Sequence, residues 1–129
     1  MIITNLHIGS RFPVGRAILR ETVERVLIHH GVEDAQVEVA VVGKRKMKEL
    51  NEGMMKHEGV TDVLSFPQHE RHQLNDFPLP VGMPPVLGDV VICFPVAVET
   101  ARRFGKRVDE QLAFYLEHGL MHLLGYHHD

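Results

Sequence analysis

The residues with the clearest chemical potential lie at the end of the chain, where positions 118–129 hold four of its ten histidines. The segment is HGLMHLLGYHHD, with His118 and His122 four residues apart and His127 and His128 close behind. Residues at i and i+4 lie on one face of a helix, so the first two imidazoles can share one metal ion. The spacing therefore predicts a metal site built on a helix.

A third ligand can come from the residues that follow this helix. Gly125 can adopt a positive φ and turn the chain back, which would return a later imidazole to the same ion. The H-x3-H-x5-H spacing matches the ligands of metzincin hydrolases and favours His128. His127 and Asp129 would then be neighbouring groups, or one of them a fourth ligand. Three imidazoles with an open fourth position are typical of catalytic zinc rather than structural zinc.

Two interpretations of these histidines without a metal are weaker. A single histidine on an apolar helix face is usually a core residue, and this face also carries leucines, namely Leu116, Leu120 and Leu123. Burying two adjacent imidazoles without a shared partner would, however, cost desolvation energy for both. A purification tag is excluded because the terminal histidine pair continues a patterned helix. Metal binding is therefore the favoured interpretation.

The residue between the two histidines restricts the type of hydrolase. Metalloproteases carry a general-base glutamate directly after the first histidine, and this chain has Gly119 there. Glu117 precedes His118 and lies about 100° around the helix from it. A peptidase would therefore lack its base. Phosphodiester hydrolysis suits the site better, because a bound dication can activate water and polarise a phosphate oxygen.

The elements that must position these residues follow from hydrophobic periodicity and from turn-forming residues. We predict helices at 14–30, 44–51, 96–104 and from Val108 or Asp109 to Leu124, strands at 36–42, 61–67 and 88–94, and a proline-rich loop at 68–86. The strand at 36–42 is rich in β-branched residues, which predicts burial on both faces. This order predicts an α+β (mixed α/β) fold with a small mixed sheet packed with helices and a zincin-like active-site helix at the C-terminus.

The bulk properties fit one globular domain over residues 1–129. The chain is 44% hydrophobic and 24% charged, and its single cysteine cannot form an internal disulfide. We expect a soluble intracellular protein, since no signal peptide or membrane span is evident. The net charge of −3 is unlike a dedicated nucleic-acid binder, although local basic patches leave a nuclease possible. The two basic clusters are Lys44, Arg45, Lys46 and Lys48, and Arg102, Arg103, Lys106 and Arg107.

Three sequence blocks together resemble the YbeY family of bacterial endoribonucleases. HGLMHLLGYHH at 118–128 is similar to the H-G-x-L-H-L-x-G-Y-D-H signature of that family. TDVLSFP at 61–67 and LGDVVIC at 87–93 look like its other two characteristic blocks, and the distances between blocks also fit. The resemblance covers nearly the whole chain.

This resemblance implies a specific function and a specific set of ligands. It implies a zinc-dependent, single-strand-specific endoribonuclease that acts in 16S ribosomal RNA maturation and ribosome quality control. One Zn²⁺ would be held by His118, His122 and His128. The expected partners are single-stranded RNA, ribosomal RNA and ribosomal subunits, and we expect a cytoplasmic monomer without membrane association. The alternatives are a non-catalytic, zinc-stabilised ribosome assembly factor and, disfavoured by Gly119, a zincin-type peptidase.

The chain departs from the family pattern at two places. His127 replaces an aspartate beside the third ligand, which removes a negative charge and adds a rival ligand. The family also has an arginine shortly before the TDVLSFP block, where this chain has Met55 in direct register and Lys56 next to it. Lys56 is the candidate phosphate contact, as a point charge rather than a bidentate fork. The general base is unassigned among His127, Asp129 and a second metal-bound water.

Overall fold

The computed structural model describes residues 1–54, 57–68 and 82–126. Its elements in chain order are β1 (Ile2–Ile8), α1 (Arg16–His29), β2 (Ala35–Val42), α2 (Lys44–Gly53), β3 (Val63–Pro67), β4 (Val86–Cys93), α3 (Phe94–Phe104) and α4 (Val108–Leu123). These elements confirm the predicted α+β class. Most of the predicted loop lies outside the described residues, as do Lys56, His127, His128 and Asp129.

The four strands form one sheet in the order β1-β2-β4-β3. β1 pairs with β2 and β2 with β4 in parallel, whereas β3 runs antiparallel to β4. The predicted mixed sheet is therefore confirmed. β3 forms one edge of the sheet, with Ser65 opposite Val90 and Pro67 opposite Gly88.

The first strand was not predicted from the sequence. Its segment IITNLHI carries the polar residues Asn5 and His7 within seven positions, and its residues are mostly half-buried. β1 is an edge strand whose register with β2 runs from Ile2 opposite Ala35 to Ile8 opposite Val41. The pairing with β2 holds β1 in the sheet. Strand formation depends on contacts with neighbouring strands, so a weak local sequence pattern can still form a strand.

The sheet separates two layers of helices. α1 and α4 pack on one face over the main core, and α2 packs on the other over a smaller cluster around Met47. The side chains of β2 that face the main core are fully buried, but alternate residues such as Glu38 on the opposite face are only half-buried. The prediction that β2 is buried on both faces is therefore confirmed for one face and only in part for the other, where Ala40 and Val42 pack against the smaller cluster.

Gly88 allows β3, β4 and α4 to meet at very short distances. Its φ of +146° lies where side chains are disfavoured, next to a register irregularity between β2 and β4. A Cβ atom there would lie 2.3 Å from the carbonyl oxygen of Phe66 and 2.9 Å from a methyl carbon of Leu123. The end of α4 is thus held directly against the hydrogen-bonded pair of strands.

We expect the single cysteine to resist modification in the folded protein. Cys93 is fully buried at the end of β4, and burial raises the pKa of its thiol. Both effects lower the supply of accessible thiolate at pH 8. Alkylation by iodoacetamide, followed by intact-mass spectrometry, should be at least about 100-fold slower without urea than in urea at an unfolding concentration. Equal rates under the two conditions would contradict this placement.

Candidate metal-binding cleft

Helix α4 brings the predicted pair of histidines together. The ring centroids of His118 and His122 are 4.9 Å apart and the rings are tilted by 49°. This proximity follows from their i, i+4 spacing within an unbroken helix. The Nε2 atom of His122 is buried.

Both imidazoles line one cleft between α4 and the edge strand β3. The cleft has a volume of about 550 Å³, within the range of protein sites that bind small ligands. Its lining residues are Asp62, Val63, Leu64, Ser65, Pro67, Phe114, Tyr115, His118, Gly119 and His122. The sequence indicated the histidines and the strand, but not the other polar and aromatic side chains that share the cleft.

Ser65 is the polar residue of β3, and it lines the cleft together with the two histidines. It pairs with Val90, whose side chain in turn packs against Gly119 of α4. The neighbouring strand residue Leu64 belongs to the core on the opposite face of the sheet. Because strand residues alternate between faces, the side chain of Ser65 lies on the same face as α4. Its hydroxyl can therefore donate a hydrogen bond to a ligand beside the histidines.

Asp62 lines the same cleft, directly before β3. Its Oδ1 accepts hydrogen bonds from the Val63 backbone N–H at 2.7 Å and the Thr61 hydroxyl at 3.3 Å. Its carbonyl oxygen accepts one from the N–H of Cys93 at 2.9 Å. Ser65 follows Asp62 by three positions along the extended strand, a span of ~10 Å. These contacts hold Asp62 at the start of β3.

The glycine between the histidines is required by packing. A Cβ atom on Gly119 would lie 2.6 and 3.1 Å from the two methyl carbons of Val90, which is fully buried in the sheet. Such separations are well inside van der Waals contact. The missing glutamate at this position is therefore a consequence of how closely α4 approaches β4.

The acidic residue directly before His118 pairs with helix α1. Glu117 accepts a hydrogen bond from Arg25 of α1 at 3.3 Å and is not among the residues that line the cleft. The pair ties α1 to α4 on the side of the helix away from β3. This agrees with the prediction that Glu117 cannot replace a glutamate after the first histidine.

The predicted turn at Gly125 is confirmed. The residue has φ +94°, its N–H donates to the carbonyl of His122, and the N–H of Tyr126 donates to the carbonyl of Met121. These two bonds form a Schellman motif that ends the helix. The chain thus turns immediately after the second histidine. His128 lies beyond the described residues, so its role as third ligand stays a prediction.

The described residues supply two of the ligands that one zinc ion would need. Two imidazoles on one helix face, opening into one cleft, are the ligand chemistry that catalytic zinc takes. Over residues 1–54, 57–68 and 82–126, no group of three or more histidine, cysteine or acidic side chains is placed to hold a metal ion. A complete site therefore needs a ligand from outside these ranges, as the proposal for His128 requires.

The helices of the described ranges do not include a membrane-spanning candidate. None combines the length and the apolar character needed to cross a bilayer.

Comparison with known proteins connects this cleft to a family. A family model described as "Endoribonuclease YbeY" matches residues 12–129. A protein of that name from Anaeromyxobacter sp. (strain Fw109-5) is 38% identical over 127 residues, which cover 96% of this chain and 62% of the relative. Another from Staphylococcus aureus (strain JH9) is 39% identical over 99 residues, covering 77% of this chain and 63% of the relative. The chain thus spans about three fifths of the length of these relatives.

A solved structure has the same fold. The solution structure of TM1509 from Thermotoga maritima aligns with a TM-score of 0.58 and 27% identity, covering 100% of this chain and 75% of that one. The sequence match and the fold agree with each other. This chain belongs to the YbeY family.

Proposed function

We propose that the protein is a zinc-dependent, single-strand-specific endoribonuclease that acts in 16S ribosomal RNA maturation and ribosome quality control in the cytoplasm. The observation that carries the proposal is the His118–His122 pair, with ring centroids 4.9 Å apart in a cleft of about 550 Å³. The family supports the nuclease part, because relatives at 38–39% identity bear the name endoribonuclease. Zinc and the ribosomal substrate are part of the proposal.

The residues of the chain take distinct roles in this proposal. His118 and His122, joined by His128, would hold the metal ion at the cleft. When bound, zinc would supply Lewis-acid chemistry to water and to a phosphodiester oxygen. Ser65 donates a hydrogen bond from its hydroxyl to a phosphate oxygen that lies against β3. Lys56 adds a positive charge toward the RNA backbone.

A cleavage assay with purified protein tests the activity. We expect cleavage of a single-stranded RNA, with little cleavage of duplex RNA or of the DNA of the same sequence. A chelator should abolish the activity and added Zn²⁺ should restore it. Cleavage that persists unchanged in the chelator would contradict metal dependence, and equal cleavage of the DNA would contradict the substrate class.

The ribosomal role is tested in cells. A strain whose only copy of the gene encodes an inactive but folded protein should accumulate unprocessed 16S precursor. Mapping the ends of the 16S ribosomal RNA measures this. A cluster of exposed cations lies at the end of α3 and in the segment that follows it, namely Arg102, Arg103, Lys106 and Arg107. This cluster keeps open the alternative of a non-catalytic assembly factor that contacts ribosomal RNA. Normal 16S ends in that strain would favour the assembly factor over the nuclease.

A further inference from the structure

A large aromatic side chain is exposed at the mouth of the cleft. Phe114 is 55% exposed, although it lies on α4 one turn before His118. It lines the main cleft and also a shallower groove of about 370 Å³, which it shares with Glu117, His118 and Met121. The adjacent Tyr115 is buried, so the exposure is specific to Phe114. The ring therefore borders both the cleft and the groove that His118 lines.

Positive charge accompanies this ring. The Nζ atom of Lys106 is 5.4 Å from the centroid of the Phe114 ring. Lys106 lies on the short segment that joins α3 to α4. Exposed aromatic rings interleaved with cations are typical of surfaces that bind single-stranded nucleic acid, with bases stacked on the rings and phosphates near the cations.

We propose that Phe114 is a stacking platform for the base of a nucleotide next to the scissile phosphodiester, and that Lys106 contacts the phosphate of that nucleotide. The inference rests on the proposed function, because it places the reacting phosphate at the histidines. Phe114 precedes His118 by four positions in the helix, about 6 Å along the axis. A nucleotide can thus cover the ring while the neighbouring phosphate lies beside His118. The platform favours unpaired bases, since a base within a duplex has no free face for the ring.

The role is separable from folding. More than half of the Phe114 side chain is already in contact with solvent, whereas the neighbouring core is formed by Leu112, Tyr115 and Leu116. Removing the ring should therefore change the melting temperature little. Phe104 is a matched control, since it is equally exposed and also has a cation near its ring, but it does not line the cleft.

Binding measured without turnover tests the platform. A short single-stranded RNA carrying a fluorophore is titrated by anisotropy in the presence of a chelator, and again with one base replaced by an abasic site at each position in turn. Phe114→Ala should weaken binding by about 5- to 100-fold and Phe114→Trp should preserve it. Phe104→Ala should leave the Kd within about twofold. One abasic position should weaken RNA binding by the parent protein most. The same abasic position should not weaken RNA binding by Phe114→Ala further.

The salt dependence gives an independent readout for Lys106. Lys106→Ala should lower the slope of log Kd against log salt by about 0.7 for single-stranded RNA, as expected for one lost phosphate contact. Phe114→Ala should leave that slope unchanged. If Phe114→Ala binds the RNA like the parent while cleavage continues, the platform is overturned and the proposed function stands. If the parent protein neither binds nor cleaves RNA, the platform and the proposed function are both wrong. If the parent instead binds an unstructured peptide and Phe114→Ala does not, the ligand of this surface is a protein and not RNA.

Discussion

Replacing Gly119 with glutamate, which would complete a His-Glu-x-x-His sequence, should unfold the protein rather than create a peptidase. The new Cβ atom would lie 2.6 Å from a methyl carbon of Val90, a fully buried residue of the central sheet. The rest of the glutamate side chain would need further space at the wall of the cleft, which Gly119 lines beside Val90. We expect a loss of more than ~4 kcal/mol of unfolding free energy, a large part of what a small domain has. Urea denaturation followed by circular dichroism measures it.

The alanine variant separates packing from charge. Helix propensity alone favours alanine over glycine by up to ~1 kcal/mol. Contact with Val90 opposes this, so Gly119→Ala should be destabilised by about 1–3 kcal/mol. In the Val90→Ala background most of that loss should disappear, because the methyl carbons that the new Cβ would meet are gone.

A second helix glycine provides the control for this series. Gly53 lies in α2 with open space around its Cβ position, and Gly53→Ala should be neutral or slightly stabilising. If Gly119→Ala is as stable as Gly53→Ala, packing against Val90 is not the reason for the glycine. A soluble Gly119→Glu variant that hydrolyses casein would contradict the explanation more directly.

Gly119 also shows what the sequence could and could not predict. The missing glutamate was enough to argue against a peptidase, because that argument needs only the residue types and their spacing. The physical reason for the glycine needs the position of Val90, which is 29 residues away in the chain and is brought to α4 by the sheet. The histidine pair and the helix stop at Gly125 were predictable, since both depend on neighbours within one helix.

The wall of the cleft and the first strand, β1, depend on pairing between strands that are far apart in the sequence, so local sequence pattern did not predict them. Ser65 joins the histidines only because β3 runs antiparallel to β4 at the sheet edge. The exposure of Phe114 could not be separated from that of Tyr115 by helical periodicity alone, because adjacent positions differ by only 100° around a helix. β1 has Asn5 and His7 among its seven residues, so its signal was weaker than that of β2. Local pattern predicts an element well when its own side chains form the core.

The histidine variants should have the largest effect on activity. His118→Gln and His122→Gln keep a polar side chain of similar length, but an amide is a much poorer zinc ligand than an imidazole. Zinc content should fall from about one ion per chain to near zero in both. RNA cleavage should fall by more than about 100-fold, since even changes to groups that only orient metal ligands cost 10- to 100-fold. Inductively coupled plasma mass spectrometry and the RNA assay measure the two effects.

The control for these variants is a histidine outside the cleft. His29 is exposed in the last turn of α1, and its ring packs against that of His30. His29→Gln should keep both the zinc and the cleavage activity of the parent. Thermal melting with and without chelator adds a readout that does not depend on RNA. Because a ligand that binds only the folded state stabilises it, the chelator should lower the melting temperature of the parent and of His29→Gln, but not of the two cleft variants. A His118→Gln or His122→Gln protein that retains one zinc ion and full cleavage would show that the metal lies elsewhere, and the site proposed here would then be wrong.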